Sequence, residues 1–392
     1  MKNWSPKARC TFTYSLVHFT TWSFYAVVLA FSSNVLYEFG FSDSAISLFL
    51  GVFTALSVAV QVASAELLSK LSNLGVHCVL SAFGGCILLC AAVLMIPGLP
   101  SAAAILAFGI VCMLLQTFPA LANSMGMDSI RRGAPTDYSI ARGMGSLGYS
   151  VTALLTGTLV RQMGIPSVHL LTICLSAMLI ISVLWYRSCV GEQKAIVSSE
   201  TTQNTAPFFS RYPRFGVFLA GMSFLCISHG LLCNFMYQIM LTRNGEAMEQ
   251  GIATAISSLV ELPIMFGFPW LLKKLRCDKW VRFAAFAMAL KPLMILLSGA
   301  PVGIYLAQAT QSIGYGLWVI GSVNYAERIV DKGESIRAQS YHGSVTTAST
   351  VVALSIGGVI IQHLGVQTML ILSLACSLLG AVVILFSTEK AE

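Results

Sequence analysis

Charged residues are scarce in this 392-residue sequence, at 10% of the total, whereas an average soluble domain carries about 25%. Hydrophobic residues make up 56%, and the mean hydropathy is +0.78. A soluble globular protein is excluded by these values. The apolar runs are continuous rather than alternating, which also excludes a membrane β-barrel, because lipid tolerates only helices or closed barrels. We therefore predict an all-α integral membrane protein.

The sequence also lacks the signatures of metal sites, disulfide frameworks and catalytic centres. Its eleven cysteines occur singly, without a Cys-x-x-Cys pair, which argues against both zinc and disulfides. There is no HExxH motif and no pair of carboxylates on one helix, so we expect no enzyme, no cofactor and no metal. The net charge of +7 comes from basic loops, and we expect no nucleic-acid partner.

Long apolar runs fill most of the chain, and about 20 residues are enough to cross the bilayer as a helix. Polar or Pro/Gly-rich connections separate the runs and leave room for about twelve spans. The predicted spans lie at about 11–36, 44–68, 76–96, 101–125, 139–160, 168–187, 214–240, 250–272, 281–299, 302–327, 339–363 and 366–388.

The longest polar stretch falls near the middle of the chain and predicts two bundles of six helices. We place the first bundle at 1–190, a cytoplasmic linker at 191–213 and the second bundle at 214–392. All but four of the 23 lysines and arginines fall on the side of the N-terminus or in the loops that share it. Since cytoplasmic loops carry the excess of positive charge, both termini are expected in the cytoplasm. We expect a multi-pass monomer in a bacterial inner membrane.

Two residues of opposite charge fall in the middle of predicted spans. Glu261 lies at the centre of span eight and Lys291 at the centre of span nine, and Pro263 and Pro292 follow them closely. A charge at bilayer depth costs about 2.5 to more than 10 kcal/mol unless it faces a wet cavity or a partner. We predict that the two charges approach each other or share one cavity, with bends beside the prolines. The alternative is a purely structural salt bridge.

A third charge, Arg142, enters span five in a glycine-rich segment. Gly143, Gly145 and Gly148 spell GxGxxG, the dinucleotide fingerprint, but that motif needs a preceding strand and a βαβ unit. On a transmembrane helix the same small residues permit close helix packing. For Arg142 we weigh solute binding in a cavity against a snorkelling charge at the inner leaflet.

Uncharged polar residues within the spans are further candidates for solute binding. His18 in span one and His229 in span seven carry a group that titrates near neutral pH, although a hydrogen-bonded packing role is the alternative. Gln311 and Asn123 offer amides either to a hydroxylated solute or to another helix.

Two aromatic residues offer rings on which a solute could stack. Tyr149 follows the glycine-rich segment, and Trp318 lies in span ten. Most aromatic rings in membrane proteins face lipid or the interface, and this is the alternative for both.

Twelve spans in two halves around a central loop resemble the major facilitator superfamily, whose halves rock around a site at the midplane. The segment 138–149, with Ala141-Arg142 and Gly148-Tyr149, looks like the span-five motif of the lactose-permease-like branch of proton symporters. The segment 260–265 looks like the span-eight motif of that branch. Ser228-His229-Gly230 is similar to a segment of phenylpropionate-type permeases.

This resemblance implies roles for individual residues. Arg142 would bind solute hydroxyls and Tyr149 would stack on a solute ring. Glu261 would link substrate binding to protonation, with Lys291 as its electrostatic partner. Gln311 stands about where the lactose carrier has a span-ten histidine, and the acidic residue of that span is not evident, so lactose itself is not the expected substrate.

The expected function is secondary active transport of a small polar or amphiphilic solute, by alternating access and coupled to protons as symport. Sugars, nucleosides and organic acids all fit. Two alternatives are efflux of a drug or metabolite by proton antiport, and a transport-dead membrane sensor on the same scaffold. The expected partners are the solute, protons and the lipid bilayer.

Overall fold

The computed structural model describes residues 4–70, 75–190, 208–331 and 334–390. Every regular element in these ranges is helical, which confirms the prediction of an all-α protein. Residues 191–207, most of the predicted linker, lie outside the described ranges. The division into 1–190, 191–213 and 214–392 therefore stays a prediction.

The first helix of the chain has a capped N-terminus. Ser5 accepts a hydrogen bond from the backbone N–H of Ala8 at 3.2 Å, and Pro6 occupies the first helical position, both of which favour a helix start. A π-helix, Tyr25–Leu29, continues the first helix. The helices up to residue 190 are α1 (Pro6–Phe24), α2 (Ser32–Glu38), α3 (Asp43–Lys70), α4 (Val76–Leu94), α5 (Ser101–Leu115), α6 (Phe118–Arg131), α7 (Tyr138–Met163) and α8 (Pro166–Val190).

The second part of the chain contains more and shorter helices, and a second π-helix at Ser312–Gly316. Its helices are α9 (Phe208–Arg211), α10 (Pro213–Asn234), α11 (Met236–Leu241), α12 (Ala247–Leu259), α13 (Leu262–Leu271), α14 (Cys277–Ala287), α15 (Leu290–Leu297), α16 (Pro301–Ala309), α17 (Leu317–Arg328) and α18 (Ser335–Ser387).

Prolines account for several of the interruptions. Pro119 cannot donate to the carbonyl of the residue four positions earlier, and α5 ends at that residue, Leu115. Pro263 ends α12 at Leu259 in the same way, and Pro292 lies just beyond the break between α14 and α15. Bends beside Pro263 and Pro292 were predicted; the break before Pro119 was not.

By length and composition, nine helical stretches among the described residues can cross a membrane. One of them, Arg337–Ser387, carries 51 residues and is divided by Gly365, whose φ of 82° is not helical. The predicted spans 139–160 and 302–327 lie on α7 and on the interrupted segment α16–α17. The chain is a multi-pass membrane protein, and the count of twelve spans and their orientation stay predictions.

The contacts divide the chain into two compact units, which are described separately. Unit 1 contains residues 1–41, 49–198 and 246–255. In it, α1 packs against α7 and α8, while α4 packs against α8 and α5. The glycines of α7 allow the first contact, since a Cβ atom on Gly148 would lie 2.5 Å from the carbonyl oxygen of Phe19. The predicted role in close helix packing is confirmed for Gly145 and Gly148.

Unit 2 contains residues 42–48, 199–245 and 256–392. Its core is aromatic, and α10 packs along α18. Ser228 of α10 lies 2.8 Å from the hydroxyl of Ser373 and 2.6 Å from that of Ser377, so the two helices also share a buried hydroxyl cluster. Hydrogen bonds of this kind are worth about 0.6 kcal/mol each between transmembrane helices.

At one end of unit 2, short polar contacts fasten α9 and the start of α10 to the loop before α18. Arg211 forms an ion pair with Glu334, and this hydrogen bond raises the pKa of Arg211. Tyr212 donates a hydrogen bond of 2.8 Å to Asp331. The last residues of the predicted linker are thus joined to a loop more than a hundred positions later in the sequence.

Candidate functional site

A chain of hydrogen bonds joins the two predicted membrane charges in unit 2. The Lys291 ammonium donates to the side-chain oxygen of Gln311 at 2.8 Å, and the side-chain nitrogen of Gln311 donates to a carboxylate oxygen of Glu261 at 2.9 Å. Gln311 therefore connects the two charged side chains through hydrogen bonds. Because both bonds involve an ionised partner, they belong to the stronger class of protein hydrogen bonds.

The three residues reach each other because their helices are interrupted at this level. Glu261 lies in the break between α12 and α13, and Lys291 is the second residue of α15, directly after a break. Gln311 lies between α16 and the second π-helix. Interrupted transmembrane helices expose unpaired backbone groups and are tolerated where they line a cavity, and π-bulges are frequent at functional sites.

Burial differs along this chain of three residues. Lys291 is 5% exposed and Gln311 is 4% exposed, whereas Glu261 is half-buried. A small cavity of about 10 Å³ lies beside Lys291 and Gln311. That volume is about the least that accommodates one water molecule. The cavity therefore has room for about one water molecule and is too small for a solute.

His229 also lies at this cavity. Its ring is stacked on that of Tyr315, with centroids 3.5 Å apart and planes inclined by 6°, and its Nε2 is 3.4 Å from the sulfur of Cys233. The structure thus brings four of the predicted residues together: Lys291, Gln311, Glu261 and His229. Tyr315, which sequence reasoning did not single out, joins them.

Trp318 lies elsewhere in unit 2. It is 1% exposed, belongs to the hydrophobic core and stacks on Phe218 at a centroid distance of 5.8 Å. Such a position is that of a packing residue, and it lends no support to the predicted contact with a solute.

In unit 1, Arg142 is paired with an aromatic ring from the first helix. Its guanidinium carbon lies 4.3 Å from the centroid of the Trp22 ring, a cation–π contact. The resemblance implied that Tyr149 stacks on a solute ring, and this role stays a prediction. Tyr149 is half-buried two turns further along α7, and the ring over which the guanidinium lies is that of Trp22.

Asn123 lies beside the same group of residues. The hydroxyl of Tyr138 donates to its side-chain oxygen at 3.1 Å. The Tyr138 ring in turn meets His18 edge-on at 5.9 Å. Since Tyr138 and Arg142 are four residues apart on α7, the predicted residues Asn123 and Arg142 belong to one polar and aromatic patch of unit 1.

The sequence profile of the MFS_1 like family matches residues 11–372. The chain belongs to this family. It is therefore a transporter of the major facilitator superfamily type, which confirms the wider of the predicted families; its lactose-permease-like branch stays a prediction. No curated protein sequence matches the chain at a significant level.

Solved transporters of the superfamily share this fold. A crystal structure of a point mutant of the nucleoside transporter NupG superposes with a TM-score of 0.74 at 14% identity, over 98% of this chain and 100% of that one. A mutant of the peptide transporter POT gives 0.71 at 12% identity, over 97% and 93% of the two chains. A bacterial homologue of the human lysosomal transporter Spinster gives 0.69 at 12% identity, over 98% and 97%. At such identities the likeness shows the fold of this family member and not its substrate.

Trp22 and Tyr315 are the residues that sequence reasoning missed, since aromatic residues are common in apolar spans. A signal for Trp22 existed in its surroundings. An 18-residue window within Pro6–Glu38 has a mean hydropathy of 1.3, the lowest of the nine candidate spans, and 67% of that window is buried, the highest share. The low hydropathy is visible in the sequence, whereas the burial is known only from the structure.

Proposed function

We propose that this transporter moves a small polar or amphiphilic solute by alternating access and couples that movement to protons as a symporter. The observation that carries the proposal is the hydrogen-bonded chain from Lys291 through Gln311 to Glu261. The proposed solute is a sugar, a nucleoside or an organic acid. The solved proteins of similar fold include a nucleoside transporter and a peptide transporter, which supports the first half of the proposal.

The coupling step follows from the charges. With Glu261 ionised, its negative charge offsets the buried ammonium of Lys291 through the dipole of Gln311. Protonation of Glu261 removes that negative charge and turns one carboxylate oxygen from an acceptor into a donor. The hydrogen bond from Gln311 is then weakened, and Lys291 loses its compensation. A single proton therefore changes the stability of this part of unit 2, which is what coupling requires.

Solute binding is assigned to the patch in unit 1. Arg142 supplies hydrogen-bond donors suited to hydroxyl or carboxylate oxygens, and Asn123 adds an amide. Tyr149, His229, Gln311 and Trp318 stay predictions from the sequence; His229 and Gln311 line the water-sized cavity of unit 2, and Trp318 packs in its core. We further propose two six-helix bundles joined by a cytoplasmic linker, both termini inside, in a bacterial inner membrane.

The decisive experiment is solute accumulation in proteoliposomes under an inward proton gradient. A thermal-shift screen with galactose, uridine and benzoate at two pH values first selects the probe, because a ligand that binds the folded state raises Tm. Glu261→Gln keeps the shape of the side chain and removes its charge. We expect it to abolish accumulation driven by the gradient while solute exchange at equal concentrations continues.

The matched control is Glu327→Gln, which changes an exposed glutamate of α17 in the same unit. It should accumulate solute like the wild type. Accumulation by Glu261→Gln at the wild-type level would refute the coupling assignment. Export rather than import under the same gradient would favour antiport, and binding without any exchange would favour a sensor.

A further inference from the structure

The ring contact of Arg142 belongs to a larger alignment of two helices in unit 1. His18 and Trp22 are four residues apart on α1, so they lie on the same face of that helix. Tyr138 and Arg142 have the same spacing on α7. His18 meets Tyr138 at 5.9 Å, and Trp22 meets Arg142 at 4.3 Å. The facing sides of α1 and α7 therefore contact each other through two successive pairs of side chains, His18–Tyr138 and Trp22–Arg142.

A glycine of α7 makes room for the indole. A Cβ atom on Gly145 would clash with Cδ1 of Trp22 and would lie 3.1 Å from its Cγ and Nε1. The position of the Trp22 ring thus depends on the absence of a side chain at this glycine. Gly145 lies against Cδ1 of the indole and the Arg142 guanidinium lies over the ring, so α7 positions Trp22 while its side chain remains half-buried.

Two features near Trp22, a π-helix and a buried histidine, indicate a role beyond packing. The first π-helix begins at Tyr25, whose ring lies 5.2 Å from that of Trp22, and such helices are frequent at functional sites. His18 is only 1% exposed, and neither of its ring nitrogens has a hydrogen-bond partner among the described residues. A buried polar group of this kind indicates a ligand or water as its partner.

We propose that Trp22 is a substrate-contacting residue that selects solutes with a flat aromatic or heteroaromatic ring. The indole receives the ring face, and Arg142 binds the polar group attached to it. Gly145 is a positioning residue, because it contacts the indole and not the solute. This inference rests on the proposed function, and it narrows the solute classes to ring-bearing compounds such as nucleosides and aromatic acids; plain sugars and aliphatic anions are excluded.

The test compares matched solutes with and without a planar ring. Purified full-length protein is titrated with benzoate against cyclohexanecarboxylate, and with uridine against ribose, with thermal shift as the readout. We expect the wild type to bind the planar member of each pair about tenfold more tightly, the usual scale of one stacking contact. Trp22→Leu should remove this preference, and Trp22→Phe should retain most of it.

Two further variants separate the role of the ring from its position. Gly145→Leu leaves Trp22 intact but displaces it, and we expect it to lose the preference as Trp22→Leu does; Gly145→Ala replaces it if the larger change prevents folding. Trp270→Leu is the matched control, because Trp270 also has a cation over its ring, that of Lys274 at 5.3 Å, but is 60% exposed. It should keep the wild-type preference.

The results that overturn the proposal are separate from those that overturn transport. An unchanged preference for planar rings in Trp22→Leu, or binding of neither benzoate nor uridine to the wild type, refutes the role of Trp22. If the Trp22-dependent preference is observed while proteoliposomes accumulate no solute, the proposed symport fails and the assignment of Trp22 stands.

Discussion

Removal of Gln311 provides the sharpest test of the charge network in unit 2. The substitution Gln311→Leu preserves the approximate volume of the side chain and deletes both of its hydrogen bonds, to Lys291 at 2.8 Å and to Glu261 at 2.9 Å. Each bond joins a neutral amide to an ionised group, and such bonds contribute about 1.5–3 kcal/mol. The apolar burial of leucine returns about 1–2 kcal/mol. The net destabilisation is therefore about 1–5 kcal/mol.

A second glutamine one turn away supplies the matched control. Gln308 is 2% exposed, and its side-chain nitrogen is 3.8 Å from the sulfur of Met236, while its side-chain oxygen has no hydrogen-bond partner among the described residues. Replacing an unsatisfied buried amide with an apolar group of similar shape is nearly neutral or stabilising. Gln308→Leu should therefore unfold at the wild-type temperature or above it.

The assay is thermal unfolding of the purified protein in detergent, with wild type and both variants measured side by side. Gln311→Leu should unfold a few degrees below Gln308→Leu. Equal unfolding temperatures for the two variants would refute the network. A further check combines Gln311→Leu with Lys291→Met and Glu261→Gln, since the loss of both charges should recover much of the stability.

Two other predictions concern packing. Gly148→Ala places a methyl group against the carbonyl oxygen of Phe19 and should lower the free energy of unfolding by about 1–3 kcal/mol. In the control, Gly85→Ala, the new methyl group meets nothing within 4 Å, so this variant should be neutral or more stable by up to about 1 kcal/mol. The two variants are compared by their unfolding temperatures in detergent. Trp318→Leu should destabilise by about 2–4 kcal/mol because the ring is buried in the core. Its solute affinity, measured at a temperature where the variant is folded, should not change, and a tenfold loss would restore Trp318 to the binding site.

Interruptions of the helices next to the charged residues explain how the site forms. A continuous helix satisfies its own backbone and offers little to a proton or a solute. Pro263 and Pro292 interrupt the helices at the level of Glu261 and Lys291, and the π-helix after Gln311 does the same for the third member. The sequence could predict the first two breaks from the prolines. It could not predict the third, because the π-helix at Ser312–Gly316 contains no proline and depends on its neighbours.

The aromatic partner of Arg142 shows the limit of reasoning from resemblance. A motif on one helix names only residues of that helix, so the resemblance named Tyr149 for stacking on a solute ring and no residue of α1. Contacts between helices depend on which faces meet, and α7 meets α1 through glycines that admit the Trp22 ring. Contacts between helices also decide the position of Trp318. Its residue type suits stacking on a solute, but its ring packs into the core of unit 2.

The sequence by itself determined the class of this protein, because lipid allows few solutions: scarce charge and continuous apolar runs require membrane-spanning helices. It also identified Glu261, Lys291 and Arg142, since charges at bilayer depth are too costly to be incidental. Only the tertiary structure decided the partners of these charges. Gln311 lies 20 residues from Lys291 and 50 from Glu261, and hydrogen bonds of about 3 Å between such positions arise only when broken helices pack side by side.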